Sequence, residues 1–295
     1  MFQALRYLDW TTCIGVTRAV NHQRLPGLAA EIAYNAMLSL FPAILSLLTA
    51  VGTFDLSGGT LYDFARRFTP LVPVAVVDVI RAFVQLEHPQ GRVLQISFAV
   101  ALWMSSSAIA SSMVALDRIQ NTPPRLRRSF WHRRAMAMVL TLGTIVLYIS
   151  SAFLVFFANG LITLLAQHAG FVKTILLGLW WWLNWPIALT LVTLAFACLY
   201  RFGPSRPDRH QPIFLGAFLG AWVWLGLSFL FRHYLWNFSN YAQIYGALAT
   251  AVILMLWLNL CALVMLIGYQ LNVTVGQRMD PQGQPNPTTP KPGRV

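Results

Sequence analysis

Between Ile32 and Phe54 the chain runs 23 residues without a charged side chain. A helix needs about 20 mostly apolar residues to cross the ~30 Å hydrocarbon core of a bilayer, so this stretch is long enough to span one. It is not uniformly apolar. Glu31, Tyr34, Asn35, Ser39, Pro42 and Ser46 are spaced so that a helix gathers them on one arc roughly 140° wide. Lipid offers polar groups no partner, so the stripe is expected to face other helices or water. Pro42 removes one backbone hydrogen bond and is expected to bend the helix.

The remaining composition agrees with a membrane-embedded chain. Of 295 residues, 57% are hydrophobic and only 10% charged, and the mean hydropathy is +0.59. An average soluble domain carries about 25% charged residues. The net charge of +12 would suit nucleic acid, but membrane proteins collect Lys and Arg in their cytoplasmic loops, and no nucleic-acid partner is expected. Cys13, Cys198 and Cys261 form no CxxC pair and no disulfide framework. Asp9 and Arg18 interrupt the only apolar stretch before residue 28. The N-terminus therefore does not read as a cleaved signal peptide.

Taken in order, residues 1–27 form a cytoplasmic N-terminal segment. Trp10, Ile14 and Val16 suggest a short surface helix there, ended by Pro26-Gly27. A six-helix transmembrane domain follows over 28–277, with spans at about 32–54, 93–115, 135–158, 175–200, 213–231 and 245–275. The fold class is thus all-α and polytopic. Residues 55–92 balance four arginines against four acids, and Val72, Val76, Val79, Ile80 and Phe83 recur with helical period. That pattern predicts an extracytoplasmic amphipathic helix too short and too charged to span. The second span carries Ser97, Ser105, Ser111 and Ser112 on one side, which suits either close helix packing or a polar passage. Trp180, Trp181, Trp182 and Trp185 stand near the start of the fourth, as interfacial tryptophans do. In the fifth, Gly216 and Gly220 form a GxxxG pair, a candidate helix-packing face and a possible oligomer contact. A short turn with Trp236, Asn237 and Tyr241 leads to the last span. Residues 278–295, with five prolines, predict a disordered cytoplasmic tail.

Charge sets the orientation. Fifteen Lys and Arg side chains fall in the N-terminal segment, the 116–134 loop, the 201–212 connection and the tail, against six on the other side. The positive-inside rule then places both termini in the cytoplasm of a bacterial inner-membrane protein. Arg125, Arg127, Arg128, Arg133 and Arg134 of the most basic loop are expected to meet anionic lipid headgroups.

Several of these segments together resemble the YihY/BrkB family of bacterial inner-membrane proteins. The first is Ala29-Ala30-Glu31-Ile32-Ala33-Tyr34 leading to Leu38-Ser39-Leu40-Phe41-Pro42. Others are Met113 to Ile119 before the basic loop, Tyr200-Arg201-Phe202 with Pro204, and Tyr245-Gly246-Ala247-Leu248 through Trp257 to Gly268-Tyr269-Gln270-Leu271-Asn272. The resemblance covers about residues 20–277. It implies a six-helix bundle of a family associated with serum resistance or lipid-envelope phenotypes, once labelled ribonuclease BN. Two positions depart from the pattern. Asn35 stands where members often have an aromatic residue, and Gln270 where many have Glu, so no mechanism needing a carboxylate at that late position is expected here.

The residues themselves give little for a nuclease. The six histidines lie in different segments with no HxH, HxxxH or HExxH spacing, and there are nine acids in all. No metal site, cofactor or catalytic residue is expected. Polarity inside the bundle points instead to a path for an envelope-related amphiphile or lipid. Its candidate residues are Glu31, Tyr34, Asn35 and Ser39 in the first span, with Tyr245, Asn259 and Gln270 in the last. Glu31 is a candidate to bind a cation or to pair with Arg201. The alternative is a non-transporting membrane scaffold or envelope assembly factor, in which the same polar groups hold helices together.

Overall fold

Long uncharged blocks become long helices, even through Pro42 and Pro186, because a backbone in an apolar setting satisfies its own polar groups only by helical bonding. The computed structural model describes residues 7, 9–53, 91–166, 170–206, 211–237 and 239–279. Among them are seven α-helices, one 3-10 turn and no strand. The helices are α1 (Trp10–His22), α2 (Leu25–Thr53), α3 (Gly91–Ile119), α4 (Phe130–Ala166), α5 (Gly170–Phe202), α6 (Ile213–Asn237) and α7 (Ser239–Met279). The amphipathic 55–90 region, the tail beyond Met279 and the side chains of Tyr245 and the Trp180–Trp185 cluster lie outside the described residues.

Two boundaries differ from the sequence reading. Pro26-Gly27 does not end the surface helix. α1 stops at His22, Arg24 takes a left-handed φ of 55°, and Pro26 falls in the first turn of α2, where its missing N–H leaves nothing unpaired. The helices also reach further into the expected turn around Trp236–Tyr241, since α6 runs to Asn237 and α7 begins at Ser239, with Phe238 outside the described residues. No proline or glycine stands between Arg232 and Gln243 to break the helices sooner. α3 ends where asparagine suits it. Asn121 has φ 54°, Thr122 N–H reaches Asp117 O at 3.0 Å and Asn121 N–H reaches Arg118 O at 3.0 Å, the paired bonds of a Schellman cap.

Successive helices from α2 to α7 alternate in direction. Gln23 Nε2 donates to Ile119 O at 3.5 Å, Gln120 Nε2 to Gln211 Oε1 at 3.4 Å, and Arg278 Nη1 to Thr11 and Thr12 hydroxyls at 2.9 and 2.7 Å. These bonds gather α1, the 116–134 loop, the 201–212 connection and the end of α7 at one end, called here the basic end. The buried core lies beside it. Leu25, Leu28, Ala29 and Ile32 of α2 pack with Leu116 and Ile119 of α3, Tyr200 of α5 and Leu266, Tyr269 and Val273 of α7. α2 is sandwiched between α3 and α7.

Elsewhere the outer surface is apolar: Val139, Phe214, Trp222, Val223, Phe229 and Val252 are all exposed. Three stretches among the described residues are long and apolar enough to cross a membrane, Phe98–Ile119, Ile213–Phe231 and Ala251–Met279. The other three assigned spans include side chains outside the described set.

Candidate functional site

Serine and threonine inside a helix bond back to a carbonyl one turn earlier, and several on α3 do so. Ser105, Ser106 and Ser112 donate to Ala101 O, Trp103 O and Ala108 O at 2.7, 2.8 and 2.8 Å. Two others reach further. Ser111 Oγ donates to Ser107 O at 2.8 Å and accepts from Asn35 Nδ2 of α2 at 2.8 Å. Ser107 Oγ accepts from Arg134 Nη1 of α4 at 3.1 Å. α3 thus carries a polar seam between α2 on one side and α4 on the other.

Arg134 is the charged member of that seam, and it is only 8% exposed. Its Nη2 donates to Trp103 O, and its guanidinium carbon lies 4.2 Å from the centre of the Trp103 ring, a cation–π contact. Trp131 stands 6.3 Å from Trp103 at the outer side. Arg134 Nε is buried without a partner. The acids among the described residues are Asp9, Glu31 and Asp117, and none is within ion-pair distance of Arg134. A buried cation is held here by neutral acceptors and a ring face, a costly arrangement in an apolar interior.

The remaining path candidates divide. Ser39 is buried and donates to Ala36 O at 2.7 Å. Glu31 and Tyr34 are exposed, so the α2 stripe is split between the seam and the outer surface. Glu31 forms no ion pair with Arg201. On α7, Gln270 is 4% exposed. Its Nε2 donates to Thr274 Oγ1 at 3.2 Å, while Gln270 Oε1 and Asn259 Oδ1 are buried acceptors without partners. No hydrogen bond among the described residues joins Asn35 or Ser39 to Asn259 or Gln270. Pro42 lies inside α2, which continues through it.

Part of the basic loop forms a structural latch. Arg128 Nη1 donates to Phe202 O at 2.9 Å and Gly203 O at 3.2 Å. Arg127 Nε donates to Thr122 O at 3.0 Å. Arg134 points inward, and Arg133 is half-buried. Arg125 and Arg127 are exposed, and Arg125 has no hydrogen bond among the described residues. The carboxylate beneath this loop is one that sequence reasoning missed as a site. Asp117, 2% exposed, accepts Ser205 N–H at 2.7 Å and Ser205 Oγ–H at 2.6 Å. Its being the one acid in a strongly basic loop was the available signal.

The GxxxG face is used within the chain. A Cβ on Gly216 would run into the Gly268 carbonyl and the Asn272 side chain, and one on Gly268 would lie 2.7 Å from Tyr200 Oη. Gly220 faces Phe196 at 3.5 Å. α7 and α5 supply the atoms that lie against these glycines. Asn272, fully buried, accepts Gly216 N–H at 2.6 Å and donates to Ile213 O at 3.0 Å. It serves the first turn of α6 and was quoted in the sequence only as part of a motif. Tyr200 Oη donates to Met265 O at 2.6 Å beside the same crossing.

Residues 16–292 match the family described as virulence factor BrkB. The chain belongs to the BrkB virulence factor family. The match takes in the seam, the latch and the glycine crossing of this BrkB-family protein. It is 29% identical to a UPF0761 membrane protein of Aliivibrio salmonicida over 92% of this chain and 84% of that one. A UPF0761 membrane protein of Vibrio vulnificus is also 29% identical, over 88% and 80%. A protein of Bacillus subtilis named ribonuclease-like protein YfkH is 24% identical over 85% and 90%. No solved structure matches. Its relatives are named membrane proteins, and its own long apolar helices make this chain a membrane protein as well. Among its described residues no three His, Cys, Asp or Glu side chains come together as metal ligands would.

Proposed function

We propose that this protein crosses the bacterial inner membrane six times, with its basic end in the cytoplasm, and moves an envelope-related amphiphile or lipid between leaflets. One observation carries the reading. Arg134 is buried against α3 with no carboxylate among the described residues beside it, bonded to a serine that is chained to Asn35. A buried cation satisfied only by neutral groups keeps its charge available to a phosphate-bearing headgroup. The unpartnered acceptors Asn259 Oδ1 and Gln270 Oε1 offer further polar groups on α7.

Sealed proteoliposomes containing fluorescent phospholipid test it. Dithionite bleaches the outer leaflet only, so bleaching beyond that of protein-free vesicles reports translocation. The expected result is an excess that Arg134→Gln and Gln270→Leu each reduce while the protein stays folded. Bleaching equal to empty vesicles, with folded protein present, would overturn it. A non-transporting scaffold is the second reading, favoured by the Asn35 amide being already satisfied by Glu31 O at 3.0 Å and Ser111 Oγ.

A further inference from the structure

At the basic end, the last turns of α5 and the first turn of α6 enclose an open groove of about 500 Å³. Leu194, Ala197, Cys198 and Phe214 form apolar walls, and among the described residues Arg201 is the one charged side chain that lines it. Phe202 and Phe214 are 49% and 61% exposed at its rim. None of the three acids among the described residues lines the groove, and Arg201 makes no ion pair with them. Its own helix end does not compete for it either. The Phe202 and Gly203 carbonyls, where the negative end of the α5 dipole would draw a cation, already accept from Arg128. An exposed guanidinium at the mouth of an apolar channel, where spans meet the polar boundary, is complementary to one kind of molecule. It needs an anionic head and a long apolar tail.

We propose that this groove seats one acidic phospholipid, its phosphate on Arg201 and an acyl chain along Leu194, Ala197 and Phe214. The site is separate from the α2–α3–α4 seam, and the binding holds whether or not the protein moves lipid.

Cys198 lines the groove and Cys13 is exposed on α1, which supplies a reporter and an internal reference. The full chain in mild detergent is alkylated with N-ethylmaleimide, and each cysteine is followed by peptide mass spectrometry. Phosphatidylglycerol or phosphatidylcholine with identical chains is added at equal mole fraction. Phosphatidylglycerol is expected to slow Cys198, relative to Cys13, about fivefold more than phosphatidylcholine does, the preference one basic group near a headgroup confers. Arg201→Gln abolishes the difference, Arg201→Lys keeps it, and Arg125→Gln leaves it unchanged. Equal slowing by both lipids, parallel slowing of Cys13, or a preference that survives Arg201→Gln overturns the proposal. Equal protection by inorganic phosphate without lipid overturns the lipid as occupant. If Arg201→Gln does not fold, native mass spectrometry of wild-type protein from mixed nanodiscs decides. One retained phosphatidylglycerol upholds the site; no retained lipid, or retention in proportion to the mixture, overturns it.

Discussion

Both carboxylate oxygens of Asp117 are occupied by a single residue, Ser205, whose backbone N–H and hydroxyl bind one oxygen each at 2.7 and 2.6 Å. Ser205 Oγ in turn accepts the Arg128 N–H at 3.1 Å. The end of α3, the basic loop and the end of α5 are thereby one unit. Removing the acid strands two donors. Asp117→Ala should destabilise the protein by about 1–3 kcal/mol and Ser205→Ala by about 1 kcal/mol. The double variant should cost less than the sum of the two, because the partners are coupled. Thermal unfolding in detergent measures the cycle, and simple additivity would show that the latch is not formed.

The two glycines of the GxxxG pair should respond differently to the same methyl group. Gly216→Ala forces a Cβ into the Gly268 carbonyl, in backbone that cannot yield, and is expected to lose about 1–3 kcal/mol or more. Gly220→Ala meets Phe196 at an ordinary 3.5 Å and should change stability by no more than about 0.5 kcal/mol. Fluorescence-detected size exclusion after heating separates them. Equal sensitivity would contradict the asymmetric crossing.

Arg134→Lys keeps the charge but loses the planar fork that reaches Ser107 Oγ and Trp103 O while lying over the Trp103 ring. Arginine and lysine are not equivalent at such a site. The expected outcome is a lower melting temperature and a reduced excess of dithionite bleaching. Unchanged values of both would remove Arg134 from the proposed path.

Orientation is open to a direct test at the basic end. Leu126→Cys places a thiol on the exposed loop, and Cys13 lies at the same end. An impermeant maleimide should label both in inverted vesicles and neither in intact spheroplasts. Labelling from the outside would reverse the assignment made by the positive-inside rule.

Much of this was legible in the residues. Helicity followed from long uncharged runs, and the shared basic end from where Arg collects, because both are set by local chemistry against a bilayer. Asn35 and Ser39 on α2 were picked out as polar groups in an apolar helix by the same reasoning. Glu31 and Tyr34 shared their arc on the wheel, yet they are exposed. Helical spacing fixes which side chains are neighbours on one helix, but not which way that helix is turned in the bundle.

What the sequence determined by itself is therefore the all-helical class, the long apolar segments and their polar interruptions. Tertiary structure decided the partners: Gly216 against Gly268, Asn272 on the first turn of α6, Asp117 with Ser205, and Arg134 turned inward while Arg125 stays exposed. Those pairings join residues 27 to 88 positions apart, through rotations and crossings that depend on how all the helices fill space together. A periodic pattern along one helix carries no record of them.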